Sequence, residues 1–349
     1  MKIASASLLQ VTTKPVVALP GLRVARRRST LAAAVMTTFG ACAALVLAGL
    51  PLPAAAAPFA YVPNEKSGTL SIIDCATDTV TATIKAGTKP RGLAPSSDGK
   101  TIYVSDQPNN ALLVIDVAKQ AVVDSIKLDE SPEGVSVSPN GEYVAVASEI
   151  SNSVAFISTA TRKPVFSVKT RGKNPEHAEF SPDGKWLYVS AEEADSVDIV
   201  DVAQRRQVAE VKVGERPRGI GFRSDGKTVY VASELASMVY VIDVASQKVT
   251  AKVKAGAFSN GVAVRPDGAR VFISNGKDGT VSAIDTADNK IVATIPVGKR
   301  PWNMAITPDG KKLYVANGRS NSVSVIDTDS NQVVKEIAVG ELPWGVVIH

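Results

Sequence analysis

Histidine is nearly missing: His177 and His349 are the only two in 349 residues. That leaves little for imidazole chemistry, and without a Cys-x-x-Cys-His run there is no place for covalent haem. Neither a Gly-x-Ser-x-Gly nucleophile elbow nor a phosphate-cradling glycine loop occurs. An aspartate-rich calcium loop of fixed spacing is absent as well. Cysteine is equally scarce, with Cys42 and Cys75 alone. Acidic residues are missing from the first 56 positions, which carry Lys2, Lys14, Arg23 and the run Arg26-Arg27-Arg28. An apolar stretch from Leu31 to Leu50 follows, then Pro51-Leu52-Pro53 and four alanines. Basic, apolar, then small residues is the order of a secretory signal peptide, predicted here over residues 1–56 with cleavage after Ala56.

That leader changes three other arguments. The apolar stretch is about long enough to span a membrane, but its alanine-rich exit favours removal, which leaves no membrane span and a periplasmic or secreted protein. Arg27-Arg28-Ser29-Thr30-Leu31 loosely resembles a twin-arginine signal, so the export route stays open. Six of the 39 basic residues lie in the leader, leaving 33 against 34 acidic ones. The formal charge of +5 for the whole chain therefore belongs to the leader and makes no case for nucleic acid. Cys75 is the one thiol left after cleavage, too few for an intrachain disulfide or a thiolate metal cluster.

What the sequence does have is a repeat. A strand-like run ending in Ile-Asp or a close variant recurs with its last residue at Asp74, Asp116, Ser158, Asp201, Asp243, Asp285 and Asp327. The steps are 42, 42, 43, 42, 42 and 42 residues. A period of this size built from short β-like runs marks a repeat architecture, here blades of four antiparallel strands in a β-propeller. Seven marks predict seven blades in one domain over residues 57–349. Turns of the Asp-Gly kind recur six times, from Asp98-Gly99 to Asp309-Gly310, and supply the positive φ of tight hairpins. Seven marks against six turns predict a shared blade: Phe59 to Val62 as a second strand, Trp344 to Ile348 as its first. That closure removes free sheet edges.

Tyr61-Val62-Pro63-Asn64, Tyr103-Val104-Ser105-Asp106, Phe272-Ile273-Ser274-Asn275 and Tyr314-Val315-Ala316-Asn317 resemble the Tyr-Val-Thr-Asn motif of YVTN-type β-propellers. With Ser-Pro-Asp-Gly-Lys and Val-Gly-x-x-Pro elements, the resemblance covers essentially all of residues 59–349. It is similar to YncE-like periplasmic propellers and to secreted propellers associated with quinone-dependent alcohol catabolism. The resemblance implies fold far more than activity, since propellers host many functions.

Function is expected where equivalent positions diverge. The loop into each first strand has the form Pro-x-Gly, and its variable residue is Arg91, Glu133, Glu176, Arg218, Asn260, Trp302 or Trp344. All seven are predicted to point into one mouth of the central channel. Trp302 and Trp344, with Arg91 on the next blade, form an expected stacking shelf for a planar or sugar-like ligand. His177 and Asn303, which follow Glu176 and Trp302, join this site; His177 stands where the glycine is expected. A second ring of loop carboxylates, Glu65, Asp106, Glu149, Glu192, Glu193 and Glu234, could hold a hard cation such as calcium but is expected to be ordinary solvated charge, so no metal and no cofactor is assigned.

The leading expectation is a monomeric, non-catalytic binding platform for a protein or small-molecule partner, which the resemblance links to a quinone-dependent dehydrogenase system. Two alternatives stay open. Sugar lactonases resemble this seven-bladed repeat, and hydrolysis would need His177, an arginine and carboxylates converging in the mouth. Single-stranded DNA binding, implied by YncE-like relatives, would use Trp302, Trp344, Arg91 and Arg218.

Overall fold

The computed structural model describes residues 58–349; the predicted signal segment and its cleavage point lie outside the described residues. Twenty-eight strands form seven antiparallel sheets of four. These are the seven blades, numbered here from the one that holds Phe59–Asn64. Among the described residues the only helical segments are the short turns Gln107–Asn109 and Glu192–Ala194, and no helix is long and apolar enough to cross a membrane.

Blade 5 shows how the sequence builds each sheet. Pro217–Phe222 is the inner strand, followed outward by Thr228–Ser233, Met238–Asp243 and Lys248–Lys254. The first hairpin turns at Gly226, whose φ of +67° suits glycine, while Asp225 accepts a hydrogen bond from the Lys227 amide at 3.0 Å. Val229, Val231, Val239 and Ile242 in the two middle strands are fully buried, as β-branched residues between two packed faces should be. The outer strand mostly alternates exposed lysine with half-buried or buried apolar residues.

Burial is organised between blades. Seven apolar clusters fill the seven gaps, each drawing on two neighbouring sheets. Every sheet therefore packs on both faces, and the ring must close for the last two faces to be covered.

Closure takes place in blade 1, where Val347–Ile348 is the inner strand beside Phe59–Asn64. His349 and Phe59 exchange backbone hydrogen bonds of 2.8 and 3.0 Å. The paired segment is shorter than the predicted Trp344 to Ile348: Pro343 makes an isolated bridge to Asn64, and Trp344-Gly345 bulges away before pairing resumes at Val347. The seam with blade 7 is also held by side chains. Lys312 Nζ reaches Asp78 Oδ2 at 2.8 Å, and the Tyr314 hydroxyl donates to the same carboxylate.

The bulge at Trp344-Gly345 has counterparts in all the other blades. Pairing of inner to second strand skips from Pro90 to Leu93, Pro132 to Val135, Pro175 to Ala178, Pro217 to Ile220, Ser259 to Val262 and Pro301 to Met304. The two skipped residues are the x and Gly of the Pro-x-Gly loop, with His177 and Asn303 in the glycine place in two blades and Ser259 in the proline place in one. A bulge re-aims the side chain it carries, and these bulges present x at the top of the channel.

Candidate functional site

Glycine follows x because the next blade passes too close for a side chain. A Cβ on Gly92 would lie 2.1 Å from the Glu133 carbonyl oxygen, and one on Gly219 would lie 2.5 Å from that of Asn260. Only His177 and Asn303 break this rule. Both project into the channel and line the same chamber of about 140 Å³ below the mouth, together with Glu179 and Trp344.

Above that chamber is a cavity of about 330 Å³. Arg91, Glu176, Arg218, Asn260, Trp302, Asn303 and Trp344 line it, so the predicted ring does converge. Glu133 does not reach the surface of the cavity. It is fully buried and supports Arg91 from behind through an ion pair.

Two expectations are corrected. The indole shelf does not form, because Trp344 is 8 % exposed and its face is covered by His177. The ring centroids are 5.6 Å apart with planes 10° from parallel. The imidazole from blade 4 thus plugs the channel against an indole from blade 1. Trp302 stays half-buried, with the Arg300 guanidinium 5.8 Å over its ring in place of Arg91. The second correction concerns the loop carboxylates, expected to be solvated. Glu65, Glu192 and Glu234 are buried and ion-paired, and Glu149 is half-buried beside them. Asp106 turns away and accepts backbone hydrogen bonds from Thr88 and Lys89. Glu193 remains an exposed loop charge.

Arg218 is the hub. Its guanidinium pairs with Glu176 at 2.5 Å, with Glu234 at 3.0 Å and with Glu192. Glu234 also takes Arg300 at 2.6 Å and Arg216 at 3.5 Å. Arg91 pairs with Glu133 and, at 3.3 Å, with Glu65. Gln107 donates to Glu133 at 2.6 Å, and Ser131 donates to Glu149 at 2.8 Å. Gln107, Arg216 and Arg300 escaped the sequence reading, although a signal was available. Arg216 and Arg300 occupy the position before the Pro-x-Gly proline, which also varies from blade to blade. Their φ angles of 58° and 55° are left-handed, an uncommon conformation for arginine.

These environments separate the acids. Burial opposes ionisation of Glu234 and Glu176, but Arg218 outweighs it, helped by Arg300 for Glu234 and by His177 for Glu176, and both stay below the usual carboxylate range. Burial and then the charge of Glu176 push Glu133 well above that range, raise Glu149, and take Glu192 to about 7. Deeper in the channel, burial lifts Glu179 to about 7 against one hydrogen bond from Ser136. Burial lowers His177, and its Nδ1 has no hydrogen-bond partner.

Solved structures share this architecture. Kuenenia stuttgartiensis hydrazine synthase aligns with a TM-score of 0.72 at 24% identity, over 81% of this chain and 99% of that one. A functionally unknown protein from Desulfotomaculum acetoxidans gives 0.74 at 17%, over 83% and 98%. A putative 6-phosphogluconolactonase from Bacteroides uniformis gives 0.71 at 20%, over 84% and 100%. At these identities the likeness shows the fold alone. No curated protein matches the chain. A family model described as lactonase, 7-bladed beta-propeller, matches residues 55–164 and 201–341, well over half the chain. The unmatched stretch between them contains Glu176, His177, Glu179 and Glu192.

Proposed function

The chain belongs to the lactonase family of seven-bladed β-propellers, and we propose that its channel mouth binds a small, neutral, polyhydroxylated ligand, the chain acting as a binding protein rather than a hydrolase. One observation carries this reading: each guanidinium group at the mouth already has a carboxylate partner. An anionic ligand would have to displace a buried glutamate, which costs several kcal/mol. A polyol meets no such competition. Its hydroxyls donate to carboxylates or accept from amides, and the half-buried Trp302 indole offers an apolar face for a sugar ring. The cavity of about 330 Å³ lies at the small end of ligand pockets.

The family's name alone does not favour hydrolysis here. The stretch carrying His177 is the one that the family model leaves unmatched. Hydrolysis of a sugar lactone is nevertheless a second reading, favoured by the channel imidazole whose Nδ1 is unpartnered. Such a base would accept a proton from water as the hydroxyl adds to the acyl carbon, and the ring oxygen would leave protonated. Single-stranded DNA is disfavoured, because its phosphates would meet guanidinium groups that are already paired. The Tyr-Val-x-Asn strands agree with the YVTN-type subgroup, and the basic and apolar leader agrees with export, so the ligand would be met outside the cytoplasm.

A thermal-shift series with neutral sugars, sugar lactones and their phosphorylated forms tests the proposal. Neutral compounds should raise the melting temperature, phosphorylated ones should not, and Trp302→Ala should shrink the effect. Preference for the phosphorylated compounds would overturn it. Lactone turnover that disappears in His177→Ala would replace it with the second reading.

A further inference from the structure

Six carboxylates surround the mouth: Glu65, Glu133, Glu149, Glu176, Glu192 and Glu234. Four guanidinium groups face them, those of Arg91, Arg216, Arg218 and Arg300, and the Lys89 ammonium adds a fifth cation at Glu65. The shortfall falls in one place. Glu149 has no ion-pair partner among the described residues, and it adjoins Glu133 and Glu176, with one oxygen of each of the three within 4.8 Å of the others.

Two buried oxygens here lack a partner. Glu133 is fully buried and Glu176 is 4 % exposed, yet Oε2 of each has no hydrogen bond. Their other oxygens are occupied, Glu133 Oε1 by Gln107 and Arg91, Glu176 Oε1 by Arg218. Leaving a polar oxygen buried and unsatisfied is costly, and two such atoms in one acidic cluster point to a missing positive group.

We propose that Glu133, Glu149 and Glu176 bind one hard divalent cation of the calcium type, in the channel wall between blades 3 and 4. Calcium holds its oxygens at about 2.3–2.6 Å, so two of them on one ion stand at most about 5 Å apart. The carboxylate spacing fits that limit without backbone movement. Glu149 faces the cavity, so water can complete the six to eight ligands that calcium takes. The donors are oxygen only, which disfavours thiophilic metals. Glu133 and Glu149 belong to blade 3 and Glu176 to blade 4, so the ion would also clamp two blades. This site adjoins the polyol cavity and shares Glu149 and Glu176 with its lining, so it is tested with no sugar present.

The experiment is thermal unfolding of the chelator-treated protein as purified, with calcium chloride alone and no sugar present. A saturable rise in melting temperature is expected. Glu149→Gln, which breaks no ion pair and so should fold, is expected to weaken calcium roughly tenfold or more by removing one charged ligand. No calcium-dependent shift in the wild-type protein overturns the proposal. An undiminished shift in folded Glu149→Gln overturns it too, because the ion would then sit on other carboxylates. Either failure leaves the polyol reading untouched.

Discussion

His177 and Trp344 stack face to face, 5.6 Å between centroids, although they stand on blades 4 and 1. Two blades separate them one way round the ring and three the other, so this contact crosses the channel and divides it into a polar mouth and a narrower chamber. Their relation makes the two tryptophans of the mouth unequal. Trp344→Ala should cost about 3–5 kcal/mol, as removal of a packed indole does, read by chemical denaturation. Trp302→Ala should cost less than about 1 kcal/mol, as at a partly exposed position, while weakening a polyol by roughly 0.5–1.5 kcal/mol. Equal losses of stability in the two variants would contradict this assignment.

Glu179 provides a pH signature. Burial raises its folded pKa to about 7, above the ordinary value near 4.3 in the unfolded chain. Below the unfolded value both states are protonated and the residue is neutral in the balance. As pH rises toward 7 the unfolded state ionises first, so stability falls, and the loss levels off above about 7. Glu179→Gln should therefore stabilise the protein by on the order of 2–3 kcal/mol at about pH 8 and hardly at all near pH 4. Urea melts of both proteins at the two pH values would show it.

The hub arginine should be expensive to remove. Arg218→Ala leaves Glu176, Glu192 and Glu234 without their shared cation, at a cost of about 3–5 kcal/mol at neutral pH. Near pH 4.5 the stranded carboxylates can take up protons, so the deficit should shrink. A deficit independent of pH would mean that packing, not charge, is the main role of Arg218.

At the seam, Asp78 accepts from both Lys312 and Tyr314. Asp78→Ala should strand a half-buried ammonium and a buried hydroxyl, costing about 2–4 kcal/mol. Lys312→Met combined with Asp78→Ala should recover part of that loss. Amide exchange would report the weakened seam first at Val347 and Ile348, the two-residue inner strand of the shared blade.

Much of the fold could be read from sequence because each blade repeats its own turn chemistry. Asp98-Gly99 and its five counterparts fall at glycines with φ between 67° and 74°. The ring of Pro-x-Gly residues was legible for the same reason. What those side chains touch was not. Whether Trp344 meets a ligand or His177 depends on the channel diameter, which no single repeat encodes. The solvated reading of the loop carboxylates failed similarly. Glu234 is neutralised by Arg300, 66 residues away, and a linear pattern gives no hint of that pairing. His177 and Asn303 could be singled out as departures from glycine, but their meeting in one chamber required the ring.

The bulge behind each Pro-x-Gly loop bears on how such a protein changes over generations. Backbone shape there is set by the proline and by the glycine under the neighbouring carbonyl, while one codon per blade decides what the mouth displays. Mutations at those codons can alter selectivity without disturbing strand register. Mutations at the glycines face a steric barrier, and His177 and Asn303 are the two such positions that carry a side chain. Change at the mouth is thereby channelled into the x positions, but the Arg91–Glu133 and Arg218–Glu176 pairs couple neighbouring blades, so those positions must change together while Asn260 and Trp302 are free to change singly.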